Sequence, residues 1–211
     1  MSEILYTSVG SEAMFELEEK RSVFIGYIKP VSTEEEARAY IQQIKAKHHD
    51  ARHNCSAYLL RDGCMRYSDD GEPQGTAGIP ILEVIKKSGL VDIVVVVTRY
   101  FGGILLGAGG LVRAYSAAAA GAIGSADRAE YQKCTLFEIN VEYPLYDKLT
   151  RHLSNYGVRV IDTVYGESIT VDGVIPSDEF ALFNASITES FSGKLSVDLI
   201  DETINRVRTS G

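Results

Sequence analysis

The chain has 211 residues, 21 Lys+Arg against 29 Asp+Glu, a formal net charge of −8 and 45% hydrophobic residues. That composition is too apolar for a chain disordered throughout and too acidic for a general polyanion coat. The charge is uneven, −2 over residues 1–133 and −6 over residues 134–211, so any basic patch is expected in the first part.

The opening residues, MSEILYTSVGSE, lack a basic region followed by an apolar run, so no signal peptide is expected. Ala13–Glu19 and Ser22–Val31 read as two strands around a basic Lys20-Arg21 turn. A helix follows. Ser32 with Glu35, or Thr33 with Glu36, fits a capping box, and Ala37, Tyr40, Ile41 and Ile44 share an apolar face. Asn54–Arg61 reads as a strand and Met65–Gln74 as a polar, turn-rich segment. Thr76 is placed to cap a second helix with Pro80 in its first turn, ended by Ser88-Gly89. Val91–Thr98, dense in β-branched residues, predicts a central strand buried on both faces. A glycine-rich loop leads into an alanine-rich helix over Leu111–Ile123, whose small side chains imply close packing against a sheet.

Ser125–Lys133 reads as a linker, dividing a domain of residues 1–130 from one of 131–211. Beyond it come a strand over Leu136–Tyr143 and a helix opened by Pro144 and closed by Gly157. Strands over Val158–Tyr165 and Ser168–Ile175 follow. A helix capped by Ser177 turns Phe180, Phe183, Ile187 and Phe191 inward, and Leu195, Val197 and Leu199 alternate in a final strand. That is β-α-β-β-α-β, the ferredoxin-like order, and the whole reads as α+β. The stretch Tyr100–Ala126, charged only at Arg113, is long enough to span a bilayer. Its seven glycines favour a buried loop and helix instead. So does an arginine near mid-span, at about 2.5–3.5 kcal/mol, and no membrane is expected.

Three segments carry candidate chemistry. The run from Arg99 to Gly110 lies between a buried strand and a helix. Arg99, Tyr100, Gly102, Gly103, Gly107, Gly109, Gly110 and Arg113 are its candidate binding residues, with the Lys20-Arg21 turn and His53. Glycines permit close backbone approach, and free N–H groups at a helix start attract anions, so a phosphate or nucleic-acid backbone is the expected ligand. The bland alternative is a tight packing loop with surface arginines. Neither GxxxxGK[ST] nor GxGxxG is present, and no cofactor is expected. The second segment, His48 to Cys55, holds three of the four histidines but lacks a second ligand cluster, so no structural zinc is expected. The three cysteines, Cys55, Cys64 and Cys134, form no CxxC pair, which fits a reducing cytoplasm. The third segment carries Asp69, Asp70 and Glu72, a possible acidic site whose bland alternative is a solvated Asp-Gly turn.

Taken together, HHDARHNCSAY, YSDDGEPQGTAGIPIL and VVVVTRYFGGILLGAGGLVRAYSAA resemble the IMPACT/YigZ family over roughly residues 15–125. Residues 135–207 resemble the small C-terminal domain of its bacterial members. The resemblance implies an N-terminal α/β domain of the ribosomal-protein and elongation-factor-G domain IV type. It also implies a ferredoxin-like C-terminal domain similar to domain V of that factor. Its eukaryotic members regulate translational initiation. The expectation is therefore a non-enzymatic, translation-linked regulator that binds RNA, the ribosome or a translation protein. The competing readings are an enzyme acting on a phosphorylated small molecule or peptide, and a protein–protein adaptor.

Overall fold

The computed structural model describes residues 3–210, with residues 207–210 described by backbone alone. Met1 and Ser2, part of the segment in which no signal peptide is expected, and Gly211 lie outside the described residues. The chain is α+β and divides into two compact units, one built on residues 6–130 and the other on residues 131–207.

After β1 (Ile4–Val9), the first unit builds one sheet from β2 (Ala13–Glu19), β3 (Ser22–Pro30), β4 (His53–Leu59), β5 (Met65–Ser68) and β6 (Ile93–Tyr100). The strand order is β2-β3-β6-β4-β5, antiparallel throughout. Helix α1 (Glu34–Lys47) covers one face; α2 (Gly78–Ser88) and α3 (Gly107–Gly124) cover the other. Burial on both faces explains the unbroken apolar run of β6: Val95 and Val97 face α2 and α3, Val94 and Val96 face α1. The alanines of α3 serve a close approach. A Cβ on Gly26 of β3 would lie 2.5 Å from the Ala118 carbonyl oxygen, so small residues on both elements let helix and strand meet. Among the described residues no helix is long and apolar enough to cross a membrane.

Local signals account for most element ends. Thr33 caps α1, its Oγ1 accepting from the Glu36 N–H at 3.2 Å, and Gly89 closes α2 with φ 71°. Three expectations for this unit are revised. Thr76 does not cap α2; its hydroxyl donates to the Pro73 carbonyl at 2.6 Å. The polar segment after residue 64 holds a short strand, β5, because its backbone pairs with β4. Helix α3 begins inside the glycine run at Gly107, before Leu111.

In the second unit β7 spans Arg128–Val141, so the expected linker is largely strand, and Ala129 and Gln132 within it are buried. Helix α4 (Tyr143–Asn155), β8 (Arg159–Tyr165), β9 (Ile169–Pro176), α5 (Ser177–Ser190) and β10 (Asp198–Ser210) follow. The pairings β7-β9-β8, with β10 also on β7, give the βαββαβ arrangement. The core joins Phe137, Ile139 and Val171 to Leu149, Phe183 and Ile187. Ser177 is the first helical residue of α5 and not its cap; its Oγ accepts from the Thr135 hydroxyl at 3.0 Å. Leu195 and Val197 pack on the core ahead of β10, so the last strand starts later than the alternation suggests.

Candidate functional site at the end of the central strand

Successive side chains of a strand point to opposite faces, and this separates the two polar residues that end β6. Arg99 turns toward α2 and α3, Tyr100 toward α1.

Arg99 is buried, 6% exposed. Its Nη1 donates to Glu72 Oε1 at 2.7 Å, and the same oxygen accepts from the Tyr115 hydroxyl at 2.8 Å. His53, the cross-strand neighbour of Arg99, brings Nε2 to 4.0 Å of that oxygen while Nδ1 meets the Asp70 carbonyl at 2.9 Å. The guanidinium lies 5.5 Å from the ring centroids of both Phe24 and Phe101. Arg99 and His53 thus come together in the interior, where a carboxylate already meets the cation. Burial pushes the Cys55 thiol up to about 12 and raises the Tyr115 hydroxyl strongly, so both stay protonated near neutrality.

The three acidic residues do not converge on one point. Asp69 accepts from the N–H groups of Gly75 (2.8 Å), Ala77 (3.1 Å) and Gly78 (2.8 Å), supplying the cap that α2 lacks in its own sequence. Asp70 accepts from Lys45 Nζ at 2.6 Å and from the Asn54 N–H at 2.7 Å. Glu72 holds Arg99 and Tyr115. Each carboxylate fastens the turn to a different element, a role that the bland turn reading did not contain.

On the α1 face a hydrogen-bond chain runs through His48, which the sequence marks only as part of a histidine cluster and not as a partner of Tyr27 or Tyr100. The Tyr100 hydroxyl donates to Asp50 Oδ1 at 2.9 Å. Its oxygen therefore accepts from His48 Nδ1 at 2.9 Å, which leaves Nε2 to accept from the Tyr27 hydroxyl at 2.7 Å. That one-way chain assigns the neutral Nδ1–H tautomer. Burial, then the nearby Lys47, lowers the His48 pKa; the bond from Tyr100 lowers that of Asp50.

The exposed part of the site is the loop itself. A Cβ on Gly102 would lie 2.0 Å from the Arg21 carbonyl carbon, and the Gly102 N–H donates to Ser22 Oγ at 3.1 Å. This seats the Lys20-Arg21 turn, both residues exposed and at positive φ, directly against the loop. Phe101, Gly103, Ile104 and Leu105 are exposed, Leu105 at 83%. Helix α3 then opens with Gly107, Ala108, Gly109 and Gly110 and no capping side chain among the described residues. The exposed Arg113 places Nη1 3.6 Å from where a Cβ on Gly109 would be. Lys20, Arg21, Gly103, Gly107, Gly109 and Arg113 therefore flank the outward side of the loop, while Arg99, His53 and the three carboxylates belong to its interior support.

The family described as Impact N-terminal domain matches residues 20–123, and the domain of unknown function DUF1949 matches residues 139–194. The chain is 35% identical over 210 residues to the IMPACT family member YvyE of Bacillus subtilis (strain 168), covering 96% of this chain and 97% of that protein. It is 33% identical over 187 residues to the IMPACT family member YigZ of Escherichia coli (strain K12), covering 87% and 92%. A solved structure described as a crystal structure of an hypothetical protein matches with a TM-score of 0.60 at 30% identity, covering 93% of this chain and 97% of that one.

Proposed function

The chain belongs to the IMPACT family, and on that premise we propose that it is a non-enzymatic, translation-linked regulator of the cytoplasm that binds RNA, including ribosomal RNA. The RNA-binding part is the domain of residues 1–130; residues 131–211 form a separate acidic domain whose net charge of −6 over residues 134–211 repels a polyanion.

The observation that carries this reading is the open start of α3. A helix N-terminus presents unsatisfied N–H groups and a partial positive charge, and phosphate oxygens satisfy both. Among the described residues that terminus is uncapped and glycine-lined, with Arg113 in the second turn of the helix and the Lys20-Arg21 turn packed against Gly102 earlier in the loop. The enzymatic alternative is weaker. Both nitrogens of His48 are occupied by tyrosine hydroxyls, and half-buried His53 gives Nδ1 to the Asp70 carbonyl and holds Nε2 4.0 Å from the Glu72 carboxylate, so neither ring is paired with a nucleophile at the loop.

Binding of RNA and of ribosomes to the full chain, measured over a range of salt concentrations, tests the proposal. The Lys20→Ala/Arg21→Ala double variant and Arg113→Ala are expected to keep the circular dichroism of the parent. Each should flatten the dependence of log K on log salt by about one for every phosphate it no longer neutralises. Parental affinity and slope in both variants would overturn it.

A further inference from the structure

We propose that Phe101 is a stacking platform for a single unpaired base, so that the loop selects single-stranded over duplex RNA. The proposal rests on the RNA reading above and adds to it the form of RNA recognised.

Phe101 is 45% exposed, although a phenyl ring at the end of a buried strand has every reason to fold inward. The Arg99 guanidinium occupies the space beneath it. That cation lies over the rings of both Phe24 and Phe101, 5.5 Å from each centroid. Glu72, itself held by the Tyr115 hydroxyl, fixes it from the side, and its Nε is buried without a hydrogen-bond partner among the described residues. Phe24 is fully buried and meets Tyr115 edge-on at 5.2 Å. The stack is therefore rigid from the core outward, and its last member is the exposed ring. Cation–π contact on the inner side holds that ring in place, so little rotamer freedom is lost when a second flat group covers it.

The surroundings say which flat group fits. Gly102, the next residue, packs on the Arg21 backbone, which puts a basic turn beside the ring. The uncapped start of α3 follows a few residues on. An aromatic face between cationic and N–H donors matches the alternation of base and phosphate along one strand. Ile104 and Leu105, also exposed, extend the apolar surface. In a duplex both faces of every internal base are already stacked, so away from duplex ends a base meets Phe101 only when unpaired.

The chain contains no tryptophan, so Phe101→Trp introduces a sole indole at the platform. The probes are an oligouridylate, an oligoadenylate and a blunt RNA duplex of equal length, with circular dichroism and urea midpoints for each variant. Single strands should bind the parent more tightly than the duplex. Phe101→Ala should weaken single-strand binding by roughly 5- to 150-fold while duplex binding changes little. Phe101→Leu should stay weak. Phe101→Trp should restore affinity, and single strands should quench its indole fluorescence. If the parent binds none of the probes, the RNA reading falls and the platform with it. The platform alone is overturned if the parent binds RNA and Phe101→Ala or Phe101→Leu matches it. Indole fluorescence unmoved by bound single strand in the Phe101→Trp variant also overturns it, and leaves the exposed ring to a protein partner.

Discussion

Helices α2 and α3 begin in the same way and end up with opposite surroundings. Each follows a glycine-bearing segment, and neither is capped by its own N-cap residue, Ala77 or Leu106. At α2 the free N–H groups of Ala77 and Gly78 are taken by the Asp69 carboxylate, brought from the preceding turn. At α3 no side chain takes that place among the described residues. The filled start holds an anionic oxygen, and on the proposed reading a phosphate takes the corresponding place at the open one. The same contrast separates the charged residues. Those of the 69–76 turn are engaged inside the fold, whereas Lys20, Arg21 and Arg113 stand exposed around the loop.

The strongest way to break this contrast is to remove a member of the interior. Arg99→Ala leaves Glu72 a buried charge without its cation, at a cost of about 3–5 kcal/mol. The urea midpoint should fall sharply, and Arg99→Ala/Glu72→Gln should recover much of the stability. A small change would mean that Arg99 belongs to the exposed side after all. Gly102→Val should come next, destabilising by about 3 kcal/mol because its side chain must displace the Arg21 backbone. Gly109→Ala should instead be neutral or stabilising by up to about 1 kcal/mol, since its Cβ meets only the end of Arg113. Comparable destabilisation at both glycines would show that the helix start is packed like the loop before it. Asp69→Ala should cost about 1–2 kcal/mol, the value of a missing cap. Amide exchange should accelerate at Ala77 and Gly78 and stay unchanged at the α3 start.

The smallest effect concerns pH. His48, faced by Tyr27, Tyr100, Lys47 and Asp50, has a folded pKa below its ordinary 6.5. The unfolded chain therefore takes up a proton first as pH falls. The stabilising contribution is complete above about 6.5 and declines below it, through the window down to the folded pKa. His152, lowered by burial and by Lys148, acts in the same direction in the other unit. Urea midpoints between about pH 8 and pH 5 should drop on the acid side, and His48→Gln should reduce that drop. A midpoint that rises on acidification would contradict the neutral tautomer assigned to His48.

Much of the fold was legible in local pattern. Apolar alternation, the Thr33 cap, Gly89, Pro144 and the alanines of α3 act within a few residues of themselves, so their meaning does not depend on distant chain. The β-α-β-β-α-β order of the second half followed from periodicity for the same reason. Its linker did not, because Arg128–Lys133 is polar yet becomes strand by pairing, and pairing partners lie far away in sequence. The candidate site was legible only as a neighbourhood. The sequence by itself determined that glycines, a helix start and the two arginines that bracket them follow a buried strand. The tertiary structure alone decided which of them face water. A strand turns adjacent side chains to opposite faces, so Arg99 met Glu72 from 27 residues away and Tyr100 met His48 from 52 away. A buried charge needs a partner wherever the chain supplies one. For exposed Lys20, Arg21 and Arg113 the fold supplies no such partner among the described residues.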